Sequence, residues 1–277
     1  MEKRVLTIQD ASCVGQCSLT VALPIISACG IETAVLPSAL LSTHTAGFTG
    51  FTVLDITEEF PKIIKHWEKE AITFDAIYTG YILRSQIDYI KEICDKFNKG
   101  PKIIDPVMAD HGKFYYGFDE DFANKMASLC YKADIIIPNL TEAAFLLNEE
   151  CKLDSYDEEY IETLCKKLKE KLDVKCIVLT GVSFEKEKLG VCVYENNEFK
   201  YYFTKRVIRD FHGTGDIYSS SFVGAYINGK CAYEAAQIAA DYTVHAMELT
   251  IDYANEHSYG VFFEKALPLL MKKLDLK

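Results

Sequence analysis

Over its first 180 residues the chain alternates short apolar runs with amphipathic stretches. Arg4 to Ile8 predicts a strand, Ser18 to Cys29 a helix stopped by Gly30, and Glu32 to Leu41 a second strand with its own turn. Phe74 to Thr79 predicts a strand, Ser85 to Asn98 a helix closed by Gly100, and Lys102 to Asp105 a strand running into Asp105-Pro106. Asp119 to Tyr131 reads as helix, Asp134 to Ile137 as strand, Asp157 to Leu172 as a charged amphipathic helix, and Lys175 to Thr180 as strand. This is the signature of repeated βαβ units. After Gly181 the pattern changes: Gly190 to Tyr194 and Phe199 to Phe203 flank Glu195-Asn196-Asn197-Glu198, a hairpin signal. Three helices close the chain, at about 216–228, 232–249 and 260–274. With no flexible linker, low-complexity segment or internal repeat, residues 1–277 are expected to form one α/β domain. Its architecture is a three-layer αβα sandwich with a mainly parallel central sheet and an antiparallel edge hairpin. In such sheets ligands bind beyond the carboxyl ends of the strands, so the segments after each strand are where chemistry is expected.

Composition narrows the function classes. With 49% hydrophobic residues, 15 Gly and 7 Pro, the chain can build a large core and is neither disordered nor fibrous. The 30 Lys+Arg against 41 Asp+Glu give a formal charge of −11, and no basic stripe appears, so no nucleic-acid partner is expected. Residues 11–54 carry one charge, Glu32, but Gln16, Pro24 and scattered Ser, Thr and Gly break any membrane-length apolar run; no membrane partner is expected either. The apolar run at Val5 to Ile8 is too short for a signal peptide, and ten cysteines are too sparse for a disulfide scaffold, which together predict a cytoplasmic protein with free thiols. Cys13 and Cys17 lack further ligands at zinc spacing.

Among candidate chemistry, Asp210-Phe211-His212-Gly213-Thr214-Gly215-Asp216 comes first. Gly213 and Gly215 let backbone approach a ligand, and the helix that follows begins with unpaired N–H groups and a positive dipole end. Asp216 is then either a helix cap or a general base beside an anion cradle. A decoy follows: Gly224 to Cys231 nearly matches a phosphate-binding loop, but Cys231 replaces the Mg²⁺-binding hydroxyl and Gly229 ends a helix. Asp105 and Asp110 follow one strand, and Asn139 and Glu142 the next; such oxygen donors suit Mg²⁺ bridged to phosphates. Asp105 as a turn cap and Glu142 as a helix-opening acid are the alternatives. Thr180-Gly181, Asp10, the run Ser42-Thr43-His44-Thr45, and Tyr81 in Tyr78-Thr79-Gly80-Tyr81 stand at further strand ends. No Gly-x-Ser-x-Gly elbow is present, so a hydrolase is not expected.

Taken together, Ile8-Gln9-Asp10, Ser42 to Thr45, Thr79-Gly80-Tyr81, Asp105 to Asp110, Pro138 to Glu142 and Gly213 to Asp216 make the chain resemble the ribokinase superfamily, and within it the pyridoxal (vitamin B6) kinases. The resemblance covers nearly the whole chain and implies a ribokinase-like fold. It also implies ATP-dependent phosphorylation of the 5′-hydroxymethyl group of pyridoxal, pyridoxamine or pyridoxine, with Mg²⁺ and a monovalent cation (K⁺ or Na⁺), in a homodimer. On that resemblance Asp216 is the base and Gly213, Thr214 and Gly215 form the anion hole. Asp105, Glu142 and Asp110 belong to the metal side, Asn139, Glu142, Thr180 and Gly181 to ATP, and Asp10, His44, Thr45 and Tyr81 to the substrate. Ala109 to Phe118 resembles a flap over ATP, with Gly112 and Gly117 as hinges.

The chain departs from the family at two places: Asp10 replaces the usual Ser, and Ala109 the usual Gly. The nearest rival is a hydroxymethylpyrimidine kinase of thiamine synthesis, whose glycine-rich N-terminal signature is missing from residues 8–17; a sugar kinase fits less well. A non-catalytic B6-binding protein on the same fold is the alternative from another class. A carboxylate at position 10 favours a protonated pyridine nitrogen or the amine of pyridoxamine. Pyridoxamine is therefore expected to be used at least as well as pyridoxal, and Asp10→Ser should shift the ratio of their kcat/KM values toward pyridoxal; an unchanged ratio would remove Asp10 from vitamer choice.

Overall fold

Strand β1 (Arg4–Ser12) sends Leu6 and Ile8 into one apolar cluster and Val5 into another, so both faces of the sheet it joins must be covered. The structure, a computed structural model, describes residues 3–153, 156–209, 211–257 and 259–276; Asp210 lies outside them. After β1 come helix α1 (Leu19–Ala28), β2 (Glu32–Leu41), β3 (Val53–Asp55), α2 (Phe60–Lys69), β4 (Ala76–Thr79), α3 (Ile87–Phe97) and β5 (Lys102–Ile104). Next are β6 (Ala109–Asp110), β7 (Lys113–Phe114), α4 (Glu120–Cys130), β8 (Ile135–Ile136), α5 (Leu140–Leu147), α6 (Glu158–Leu172) and β9 (Cys176–Val182). The chain ends with β10 (Lys188–Glu195), β11 (Glu198–Lys205), α7 (Thr214–Ile227), α8 (Ala232–Thr250) and α9 (Phe263–Lys273).

The main sheet runs β11-β10-β9-β8-β5-β4-β1-β2-β3 and is parallel from β9 through β2. Helices α2 to α6 pack on one face with Leu6, Ile8 and Leu179; α1, α7, α8 and α9 pack on the other with Val5, Tyr78 and Val178. The expected αβα sandwich is therefore present. Since β2 lies on one side of β1 and β4 on the other, the crossovers diverge between β1 and β4, the switch point at whose carboxyl ends an open α/β sheet leaves its ligand crevice. None of the described helices is long and apolar enough to cross a membrane.

Both edges of the sheet are antiparallel, not one. The hairpin β10–β11 turns through Asn196 and Asn197, both with positive φ (53° and 63°), the type I′ geometry that asparagine tolerates. At the opposite edge β3 pairs with β2, a strand too short to show in the apolar pattern. Helix α2 was also outside the periodic segments: it buries only Phe60 and Ile64. Strand β1 runs past Ile8 to Ser12, so Asp10 lies within the strand and not after it; between Gln9 and Ala11 the register shifts by one residue, with Ser38 and Ala39 of β2 facing Asp10, so the bulge belongs to β2.

Helix α7 carries the glycine-rich motif at its start. From Ile217 to Ala225 every residue is buried, so it is a core helix without a polar face. Its far end is fixed by Lys3 donating to the Ile227 carbonyl and by Asn228 Nδ2 donating to the Cys29 carbonyl at 2.9 Å. Gly224 lets it approach α1: a Cβ there would lie 2.4 Å from Cys29 Sγ. Gly224→Ala should therefore cost about 1–3 kcal/mol of stability by overpacking, read as a lower denaturant midpoint at unchanged slope.

Candidate active site

Asp10, on β1 opposite the bulged residues Ser38 and Ala39 of β2, is 4% exposed and accepts a hydrogen bond from Ser12 Oγ at 2.9 Å. Burial pushes its carboxyl above the usual range; the Ser18 and Ser12 hydroxyls and the His44 imidazole oppose that shift. His44, in the loop after β2, lies against Gly15 and donates from Nε2 to the Tyr259 carbonyl at 2.9 Å, leaving buried Nδ1 without a partner among the described residues. Thr45 follows it, half-buried. Tyr81, beyond β4, is fixed by Ser38 Oγ donating to its carbonyl at 2.8 Å, and its ring meets Phe118 at 5.2 Å. Burial, with a smaller contribution from Asp10, pushes its hydroxyl up to about 12.

Gly213, with φ of +78°, is the N-cap of α7, and a Cβ there would fall 1.9 Å from the Gln16 carbonyl. The cap alternative for Asp216 is thereby removed: Asp216 is the third residue of the helix, after Thr214 and Gly215. Gly215 is exposed, and a Cβ on it would meet nothing within 4 Å, so the first turn is open on that side. Desolvation lifts the Asp216 carboxyl to about 7; the Ser18 backbone N–H opposes this and Asp10 adds to it. Asp216 in turn raises Asp105, so it is the carboxylate that feels both halves of the crevice.

The second half is built from β5, α5 and the β6–β7 hairpin. Asp105, 6% exposed, accepts from Ser219 Oγ at 2.6 Å. Burial pushes it up, and Asp216 pushes further, against that hydrogen bond. Asn139 and Glu142 form a capping box on α5: Asn139 Oδ1 accepts from the Glu142 N–H, and Glu142 Oε2 from the Asn139 N–H, both at 2.9 Å. Glu142 Oε1 also accepts from the Met108 N–H at 3.0 Å, and Asn139 Nδ2 donates to the Ala109 carbonyl at 2.8 Å. Burial and the neighbouring Asp105 carry the Glu142 carboxyl well above its ordinary value. Thr180 donates its N–H to the Pro138 carbonyl at 2.9 Å, beside Asn139, and Gly181 follows with φ of +79°.

Asp110 is exposed on the hairpin and accepts from the His111 N–H, and its charge adds to those that raise Glu142. Gly112, expected as a hinge, lies with His111 in the hairpin's tip turn, where its N–H meets Thr141 Oγ1 at 3.0 Å; Gly117, φ +85°, stands at the root. The Gly224 decoy resolves as expected, with Gly229 just past the end of α7 and Cys231 capping α8.

Three residues of the site went unpredicted. Ser18, φ 54°, points its N–H toward Asp216 and its hydroxyl toward Asp10, a double role with no sequence signature. Tyr115 of the hairpin feels Glu142, Asp110, Asp216 and Asp105 and is raised by burial and then by those charges. Ser219 is the third. Among the described residues no three His, Cys, Asp or Glu side chains form a metal cage. Two buried carboxylates that repel each other, all-oxygen donors, do fit Mg²⁺, which takes one or two protein carboxylates plus phosphates and water.

The model of the phosphomethylpyrimidine kinase family matches residues 23–260. The chain belongs to that family. It is a ribokinase-superfamily kinase of the pyridoxal kinase-like kind, a phosphotransferase acting on an alcohol, and membership implies ATP as co-substrate. A pyridoxal kinase of Dictyostelium discoideum is 25% identical over 244 residues, 81% of this chain and 78% of that protein. A Bacteroides thetaiotaomicron protein described as a phosphomethylpyrimidine kinase, crystallised with pyridoxal, superposes with a TM-score of 0.91 at 34% identity, covering 98% of this chain and 96% of its own. The pyridoxal kinase of Lactobacillus plantarum gives 0.90 at 27%, with 98% and 97% covered.

A carboxyl whose folded-state pKa is raised stabilises the fold below its unfolded value near 3.8, and that contribution is lost as pH rises through about 7. In this family member Asp216→Asn should therefore raise stability at pH 8 by about 1–3 kcal/mol, with the gain shrinking toward pH 4, as read from denaturant midpoints across pH.

Proposed function

We propose that this kinase transfers the γ-phosphoryl group of ATP to the 5′-hydroxymethyl group of a B6 vitamer: pyridoxal, pyridoxamine or pyridoxine. The observation that carries the reading is the half-buried Asp216 carboxyl at the open start of α7, between the Asp10 side and the Asp105 side of the crevice, where partial loss of water raises it to about 7. The choice of B6 is supported by the pyridoxal in the Bacteroides relative and by the unpartnered His44 Nδ1, a polar atom left for a ligand.

Asp216 takes the hydroxyl proton, the freed oxygen attacks the γ-phosphorus in line, and the bond to the departing ADP oxygen breaks. The N–H groups of Gly213, Thr214 and Gly215 receive the spreading negative charge. Asp10, His44, Thr45 and Tyr81 orient the vitamer, while Asn139, Glu142, Thr180 and Gly181 face the nucleotide. Asp105 and Glu142 would hold Mg²⁺, whose chemistry is to offset phosphate charge. Asp110 is assigned to a monovalent cation, K⁺ or Na⁺, on resemblance alone. Residues 1–277 act as one kinase domain.

A homodimer accords with exposed Leu40 and its register partner Leu54, 46% and 59% exposed, on the β2–β3 edge. Ten free cysteines support a cytoplasmic location.

The test is ADP release from Mg-ATP with each of the three vitamers and with the hydroxymethyl aminopyrimidine. At least one vitamer should exceed the pyrimidine in kcat/KM. Asp216→Asn should lower kcat by roughly 10²–10⁴ while pyridoxal still binds. Turnover of the pyrimidine alone would overturn the assignment in favour of thiamine synthesis, and binding without turnover would make this a carrier.

A further inference from the structure

Helix α7 contains three consecutive serines, Ser219, Ser220 and Ser221, all 2% exposed or less. A buried helical serine ordinarily bonds back to its own helix, and Ser221 does so, donating to the Ile217 and Tyr218 carbonyls at 2.7 and 3.0 Å. Ser219 does not. Its hydroxyl crosses to β5 and donates to Asp105 Oδ2 at 2.6 Å, joining residues 114 apart in sequence. It is the only hydroxyl donor to that carboxylate among the described contacts.

Ser219 also lies one turn beyond Asp216, so the two occupy one face of α7. The helix that presents Asp216 thus also grips Asp105, and the far end of the same helix is fixed by Lys3 and Asn228. We infer that Ser219 is a positioning residue that fixes the Asp105 carboxylate, leaving its other oxygen free toward the metal–nucleotide side and setting its spacing from Asp216. The inference rests on the proposed role of Asp105. A hydrogen bond to an ionised group is stronger than one between neutral groups, and groups that orient a metal-side carboxylate typically change affinity or activity about 10–100-fold when removed.

Isothermal titration of the full-length protein with ADP, once with saturating Mg²⁺ and once with EDTA, tests this. Ser219→Ala should weaken Mg-ADP binding roughly tenfold or more and raise the KM for Mg-ATP, while ADP binding in EDTA stays within about twofold. Ser221→Ala, which deletes an equally buried hydroxyl from the same helix, should leave both unchanged, and Ser219→Thr, which keeps the hydroxyl, should recover most of the loss. Asp105→Ala separates the two levels of the reading. If it spares Mg-ADP binding, the role of Asp105 fails. If it abolishes that binding while Ser219→Ala does not weaken it, or if Ser221→Ala weakens it as much, Ser219 positions nothing.

Discussion

Keeping the half-buried Asp216 carboxyl short of full hydration at the start of α7 is the constraint on which the rest of the site depends. An acid in that position is costly to ionise, and the protein limits the cost without removing it: Ser18 offers one N–H, while Asp10 stands near enough to make matters worse. The helix start is the compensating element, since its unpaired N–H groups and dipole favour negative charge. Beyond Asp216 the helix is buried, without a break, from Ile217 to Ala225. A helix buried on all sides cannot tilt or slide to relieve the crowding at its first turn, so the strained arrangement persists.

The fold was legible because most of the parallel strands are apolar runs and some of the helices between them stop at turn formers, α1 before Gly30 and α3 at Asn98. What escaped was whatever lacks length or period. Strand β3 is three residues, β6 and β7 two each, and α2 buries two side chains; none builds a pattern that rises above its neighbours. The site divides similarly. Gly213 and Asp216 announced themselves by spacing, although the cap reading of Asp216 could be excluded only by seeing that Gly213 already occupies the cap. Ser18 and Ser219 are ordinary serines in sequence, and their importance comes from partners that only the folded chain brings to them.

The charge balance looks different in three dimensions. A protein of formal charge −11 looks hostile to a nucleotide, yet the carboxylates that crowd the crevice are those whose protonation is most perturbed, and the exposed surface pairs some of its charge internally, as Arg84 does with Asp119 and Asp121. Local backbone dipoles, not net charge, set the field where phosphate would sit.

Glu142 shows how tightly such a site can be wired. One carboxylate oxygen closes the start of α5, and the other holds the Met108 N–H at the root of the β6–β7 hairpin. Any movement of the hairpin that stretches the Met108 contact therefore loosens a helix end at the same time. A change at Glu142 is accordingly two lesions in one: lost activity in such a variant would report on the mechanical linkage between hairpin and helix as much as on the chemistry of a carboxylate.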